Sequence, residues 1–460
     1  MSREELNKMQ PRNHSEKISL MTTAPVERLV CQLALPSILN LLITAFYNMA
    51  DTYFVSSLGT SAVASVGIAF PLMAVIHSIG LLFGQGSGNY IAWMLGEHNV
   101  DKALRMAATG FFTAVLLTAA VSGVCLLNTA ALSVILGATP TIAPYAREYT
   151  GIILIGAPMM AGSVALNAQL RFQGSPTYAV LGMISGAVLN LFLDPLFIFV
   201  FNMGIQGAAI ATILGQIISC AILLYGCSRK GNIGIRLKYF SPGMFNYREI
   251  FKGGIPPFLR QMTGFLSTLV VNRFAGDFGD AAIAAVSIVN RIFMFASSAM
   301  IGFGQGFQPV CGINYGAKQY ARVKRAFWFC VKTSTAGLLI IAALLIIFAP
   351  RIIPLFRRDD PEVIRIGILT LRFHSLSLPL TAWIVISGFF TQNTGNPFPS
   401  SLINTARQGL FLIPAVMIFT GLFGFFGIPL SLPFSDAAAF FFTIPLAAKV
   451  LKKMNSQDNK

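Results

Sequence analysis

Long apolar runs recur along the whole chain. Each is about 20 residues or more, the length an α-helix needs to cross the hydrocarbon of a bilayer. Twelve can be placed. Residues 29–56, 62–94, 103–128, 142–166, 178–201 and 205–227 make a first set, and 251–275, 282–312, 325–349, 362–390, 400–422 and 427–450 a second. Pro429 and Pro433 suggest that the last begins late. Only 11% of the 460 residues are charged, against about 25% in a soluble domain, and mean hydropathy is +0.69. So few charges cannot cover a water-facing surface of this size. Lipid offers no partner for a backbone N–H, so each run must satisfy its own hydrogen bonds as a helix. The expected fold is an all-α membrane protein with twelve transmembrane helices.

The remaining charge is strongly basic, at +16. In a soluble protein that would point to nucleic acid. Here the basic residues lie between apolar runs, and no nucleic-acid partner is expected. They occupy alternate connections: the N-terminal tail, Lys102 with Arg105, Arg171, the 228–250 segment, Lys318 to Arg325, and Lys449 to Lys453. Connections 57–62, 129–141, 201–205, 275–281 and 423–427 hold no Lys or Arg. The positive-inside rule then puts both termini in the cytoplasm of a multi-pass plasma-membrane protein. Arg351, Arg357 and Arg358 are an exception on the outer side. The organisation this implies is a cytoplasmic tail over 1–28, a six-helix bundle over 29–227, a cytoplasmic linker over 228–250, a second bundle over 251–450 and a tail over 451–460. Residues 1–28 show no cleavable signal peptide. The six cysteines form no C-x-x-C pair and read as small apolar side chains.

The chain nearly repeats itself. Gly84-Gln85-Gly86 recurs as Gly304-Gln305-Gly306, an offset of 304 − 84 = 220. The same offset maps Pro36 onto Pro256, Gly59 onto Gly279, Ala62 onto Ala282 and Gly96 onto Gly316. Gly174-Ser175-Pro176 answers Gly395-Asn396-Pro397 at 221. Six spans per half is an even number, so both halves start on the same side. That predicts a parallel repeat about an axis along the membrane normal, two bundles with a cleft between them, and transport by rocking one against the other. Two bundles per chain suffice, so a monomer is expected. Gly80, Gly84 and Gly88 share one helix face and should let a neighbouring backbone approach closely.

Carboxylates within a membrane are costly, and they usually do something. Asp51 lies in the first span, one turn after Tyr47; Asp194 lies in the fifth, one turn after Asn190. Pro195 cannot bond the carbonyl of Leu191, and Pro36 does the same for Gln32, so both are candidate hinges beside freed oxygens. A carboxylate, an amide oxygen and free carbonyls suit Na⁺. A carboxylate in an apolar cavity equally suits a proton. Bound Na⁺ at Asp51, Asn190 and Asp194 is the one metal the sequence admits, and no cofactor is expected. Gln261, Asn272 and Asp436 are candidate cleft residues, with Arg260, Arg273 and Arg291 either snorkelling or lining the second bundle. Arg407 falls early in its span, near the inner surface.

Asp51-Thr52-Tyr53-Phe54-Val55 followed by Gly59, then Gly84-Gln85-Gly86, Phe172-Gln173-Gly174-Ser175-Pro176 and Asn190-x-x-x-Asp194-Pro195 resemble the multidrug and toxic compound extrusion (MATE) family, over residues 27 to 450. The resemblance is to the branch of staphylococcal-type multidrug exporters. It implies a twelve-helix antiporter that expels cationic or amphipathic drugs against H⁺ or Na⁺. It also implies a cation or proton site in the first bundle at Tyr47, Asp51, Asn190 and Asp194, with Thr212 as fifth member. Some branches carry an acid midway in the seventh helix and another in the tenth. Here those helices offer Gln261, Asn272 and His374, which puts a second ion site in doubt.

The alternatives are a flippase for a lipid-linked precursor, which would want a basic cleft, and an exporter of a narrow metabolite class. A sensor would predict an appended soluble domain. An enzyme or primary pump is not expected: the sequence has no G-x-x-x-x-G-K-[ST] loop and no metal-spaced His/Glu cluster.

Overall fold

The computed structural model describes residues 14–356 and 360–458; the side chains at 47–53, 56, 60, 280, 457 and 458 lie outside that description. Short helix α1 (His14–Thr23) precedes the first set of long helices. These are α2 (Val26–Ser56), α3 (Thr60–Gly96), α4 (Val100–Leu127), α6 (Ala143–Phe172), α7 (Pro176–Pro195) and α8 (Gly204–Ser228), with the short α5 (Thr129–Ile135) after α4. The second set is α9 (Met244–Gly276), α10 (Asp280–Gly316), α11 (Tyr320–Phe356), α12 (Pro361–Asn393), the pair α13 (Pro397–Thr405) and α14 (Ile413–Phe423), and α15 (Gly427–Asp458). Two π-helical turns interrupt the fifth span of each set: π1 (Leu196–Val200) continues α7, and π2 (Ala406–Leu412) joins α13 to α14.

Ten stretches among the described residues are long and apolar enough to cross a membrane, and the last, Pro397–Ser456, holds two spans, α13–α14 and α15. Helix α9 is not among the ten, because it carries Arg248, Glu249, Lys252, Arg260 and Arg273. It is nevertheless packed along α3 on one side and α13 on the other. Counted this way, the described residues form twelve spans. The last span runs from Gly427 straight through Pro433, so its start is early rather than late.

The repeat is visible in the helix ends. Thr60–Gly96 becomes Asp280–Gly316 at +220 at both ends; Phe172 and Asn393, and Pro176 and Pro397, correspond at +221. Left-handed backbone recurs in register, at His98 and Lys318 and at Gly174 and Gly395. Within the first set α3 packs on α6, α6 on α8, and α7 on α8; within the second α11 packs on α12 and α12 on α15. The two sets meet through α3 with α9 and, by the same symmetry, α10 with α2.

The glycines explain how close those meetings are. Gly84 faces its own bundle, where an added Cβ would stand 2.6 Å from Ala165 Cα; Gly304 likewise faces Phe389. Gly86 faces the other bundle, where a Cβ would collide with the Ile250 carbonyl, and Gly306 faces Ala34 at 2.6 Å. In each copy of Gly-Gln-Gly, then, the first glycine serves packing within a bundle and the second serves the seam between bundles. Gly96 and Gly316 meet across the pseudo-axis: a Cβ on either would strike the carbonyl of Ile313 or of Trp93, residues that are themselves 220 apart. Gly80, Gly84 and Gly88 all abut α6, as their shared face predicts.

This seam lies at the end of the molecule that carries both described chain ends. Lys324, opening α11, donates to Asn455 near the end of α15 at 2.8 Å. Side chains stitch the seam: Trp93 Nε1 donates to the Asn393 carbonyl at 2.7 Å, Asn89 Nδ2 to the Gln392 carbonyl at 3.0 Å, and Gln392 Nε2 to Gln85 Oε1 at 3.2 Å. The N-terminal segment, expected as a polar tail, is in its described part a helix docked here. Lys17 donates to Ser175 Oγ at 2.5 Å in the first half, and to Asn232 Oδ1 at 2.8 Å and the Gly231 carbonyl at 3.3 Å in the segment that follows it. The Met21 carbonyl accepts from Asn314 at 3.1 Å and the Ala24 carbonyl from Arg322 at 2.6 Å, both in the second half. Arg171, expected as a connecting-loop charge, is instead buried in α6 and donates to Asn167 Oδ1 at 3.1 Å.

Candidate functional site

Two cavities lie beyond the seam, and they adjoin. The smaller, of about 300 Å³, is inside the first bundle, with Asn190, Thr212, His77 and Gln216 in its wall. The larger, of about 590 Å³, lies between the bundles, against α3 on one side and α9, α10, α12 and the α13–π2 region on the other. Phe70, Ala74 and Gln261 belong to both walls. The larger volume is within the range of roughly 300–1,000 Å³ that small-molecule sites occupy.

Of the five residues expected at an ion site, Asn190 and Thr212 line the first-bundle cavity, and Asp194 stands beside Asn190 on the same helix. Asn190 and Asp194 stand one turn apart on α7 and are buried, at 2% and 1% exposure. Thr212 reaches them from α8: Asn190 Nδ2 donates to Thr212 Oγ1 at 3.4 Å. Among the described residues, that leaves Asn190 Oδ1 buried with no hydrogen-bond donor. An amide oxygen without a donor, beside a buried carboxylate and a hydroxyl, is an oxygen set that a hard cation such as Na⁺ satisfies. The same oxygen can accept from a protonated carboxyl. The residues present fit either ion. Gly186 and Gly215 make the close approach of α7 to α8 possible; a Cβ on Gly186 would stand 2.6 Å from the Gly215 carbonyl. Tyr47 and Asp51 fall on the backbone of α2, but their side chains lie outside the described residues. Helix α2 packs along α7.

Pro195 closes α7, and the wider turn π1 follows it directly; π-turns are commonly found at functional sites. Pro36 sits inside the continuous α2. Its neighbourhood belongs to the seam, since Ala34 and Ile38 are the residues that Gly306 and Gly302 abut.

In the larger cavity, Gln261 and Asn272 line the wall as expected. Asp436 does not. It lies behind Arg407, which presents the cleft surface: Arg407 Nε donates to Asp436 Oδ1 at 2.5 Å, and Ser377 Oγ to Oδ2 at 2.6 Å. The physical reason is that an aspartate at 1% exposure is stable only when paired, and Arg407 pairs it. Arg407 is accordingly not at the inner surface but deep in the second bundle, on π2. His374 stacks on Phe293 with centroids 3.6 Å apart and its Nε2 lies 4.0 Å from Asp436 Oδ2. Of the other three arginines, Arg260 lines the cleft, Arg273 is exposed and paired with Asp277 at 2.7 Å, and Arg291 is exposed. His77 and Gln216 went unnoticed in the sequence; a polar residue in an apolar helix was the available signal, and they were not read that way.

Comparison with known proteins matches the two-half fold. The profile of the family described as MatE covers residues 36–196 and 256–443, one match in each half. The multidrug export protein MepA of Staphylococcus haemolyticus is 25% identical over 93% of this chain and 94% of its own length. Among solved structures, a MATE crystallised in complex with MaL6 superposes with a TM-score of 0.89 at 24% identity, covering 95% of this chain and 99% of that one. An outward-facing multidrug resistance MATE family transporter of the MOP superfamily gives 0.89 at 24% identity, covering 95% and 98%.

Proposed function

The chain belongs to the MatE family, and from that premise we propose that it exports amphipathic organic compounds across the plasma membrane in exchange for H⁺ or Na⁺. The observation that carries this reading is the shared wall. A compound in the inter-bundle cleft and an ion in the first-bundle cavity would both press on Phe70, Ala74 and Gln261. Occupancy of one can then alter affinity for the other, which is the coupling an antiporter requires.

Asp194, with Asn190, Thr212 and the α2 pair Tyr47 and Asp51, would hold the ion. Pro195 and π1 would let the far part of the fifth span shift when it binds, and Pro36 would let α2 bend beside the seam. The seam closes the end that carries both described chain ends, so a cytoplasmic location for that end makes this the state open to the outside. Alternation would break the seam and close the opposite end. An ion shifts that balance only by binding the two states unequally. The protein acts as a monomer in this reading, since both bundles come from one chain, and no catalytic step is assigned.

The test is efflux of amphipathic dyes from energised cells, with the Na⁺ and H⁺ gradients collapsed separately, in wild type and Asp194→Asn. The reading expects efflux to need one gradient and to fall at least about tenfold in the variant, the effect of losing roughly 1.4 kcal/mol or more of coupling. Efflux that survives loss of both gradients would remove the antiport mechanism.

A further inference from the structure

We infer that the inter-bundle cleft recognises an acidic group, so that the compounds it holds are amphiphiles with a carboxylate, sulfonate or phosphate head on an apolar body. This rests on the reading of the cleft as the transport site and names its substrate class. The sign is opposite to that expected from the resemblance, which implied organic cations.

The described cleft lining contains Arg260 and Arg407 and no Asp or Glu. Arg407 is matched by Asp436. Arg260 is not: among the described residues its contacts are Asn404 Oδ1 at 3.5 Å and the face of Phe389 at 5.1 Å from the ring centroid. No carboxylate lies within ion-pair distance of it among the described residues. A guanidinium has five N–H donors and no acceptor. One long bond to an amide and one ring face leave most of that capacity facing the cavity. A cationic group in a cavity with low-dielectric walls concentrates anions there, and the planar fork of arginine fits a two-oxygen acid head-on.

The rest of the lining suits the body of such a compound. Phe70, Phe265, Leu269, Met300 and Val385 offer apolar surface, while Asn272 and Gln408 supply amides beyond it. The face of Phe389 restrains the Arg260 guanidinium where it lines the cavity. The same chemistry is offered by a soluble organic acid and by an anionic phospholipid, and the experiment separates the two.

The measurement is fluorescence titration of purified protein in phosphatidylcholine nanodiscs with three probes that share one fluorophore: dansylglycine, dansylglycinamide and dansylcadaverine. The acid should bind about tenfold or more tighter than the neutral amide, the margin expected for one charge-assisted pair, and the amine more weakly still. Arg260→Gln should erase the preference for the acid and leave the amide unchanged. Asn404→Asp, which sets a carboxylate beside Arg260 without removing it, should do the same and covers the case in which Arg260→Gln does not fold. Repeating the titration with phosphatidylglycerol in the disc assigns the source: competition identifies the lipid as an occupant, and its lack identifies soluble acids. Tightest binding of dansylcadaverine, or acid binding indifferent to both variants, would overturn the inference. If amphiphiles are exported but acid binding ignores Arg260, this inference falls and the antiport reading stands. If acids bind through Arg260 but nothing is exported, the reverse holds.

Discussion

Arg407 and Asp436 show how the second bundle tolerates charge at depth. The carboxylate is 98% withdrawn from solvent as a side chain, and it is held by a guanidinium and a hydroxyl. Removing one partner strands the other. Asp436→Asn should therefore destabilise the folded protein by about 3–5 kcal/mol, read as a lowered unfolding midpoint in detergent. The paired replacement Arg407→Met with Asp436→Leu should recover most of that loss. A double variant whose loss equals the sum of the two single losses would mean that the pair does not act as a unit. At this scale the sequence was informative about which residues are unusual and uninformative about how they pair. Asp194 and Asn190 were legible because their spacing lies on one helix. Arg407 and Asp436 lie on different helices, and the π-turn at Ala406–Leu412 rotates Arg407 to a direction that a regular helical count does not give. Arg407 looked like a surface residue because it falls early in its span.

Helix α1 is the element with the most to say about conformational change. Through Lys17 it is tied to the first half, and through the Met21 and Ala24 carbonyls to the second, so it spans the seam at the closed end. Gly174 belongs to this contact, since a Cβ there would collide with Met21. Burial pulls the Lys17 ammonium down from 10.5 to about 7. A depressed lysine means that the undocked helix binds more protons than the docked one between those two values. Docking should therefore strengthen as pH rises from about 7 to 10.5 and be weakest below 7. Spin labels at Ser19 and Ala321 would follow it, and Lys17→Met should remove the dependence within that window. An unchanged pH profile in Lys17→Met would show that Lys17 is not the group responsible. None of this was readable from the sequence, where residues 1–28 looked like a solvated tail. The partners of Lys17 are 158 and 215 residues away, and no local pattern signals a docking at that distance.

The whole molecule is two copies of one bundle joined along a glycine seam, and here the sequence was most legible. The offset of 220 already carried the symmetry, and the helix ends reproduce it. What the offset could not tell was that the two glycines of each Gly-Gln-Gly serve different partners, one inside and one across. That assignment makes a symmetric prediction. Gly86→Val and Gly306→Val should each prop the seam open and favour the opposite state, with similar loss of export, whereas Gly84→Val should mainly lower stability, by about 1–3 kcal/mol of overpacking. Transport in this protein turns on alternation about this seam, and Asp101 and Ala321 are placed to report on it: both are exposed, they are 220 apart in sequence, and they open corresponding helices at the closed end. The most direct measurement is the spin–spin distance between labels at these two positions in proteoliposomes, with Cys31 replaced, under an imposed ion gradient and a transported compound. Alternation should give two resolved distances, with the longer one gaining population when compound and gradient are present and losing that response in Asp194→Asn. One unchanging distance during active export would contradict it.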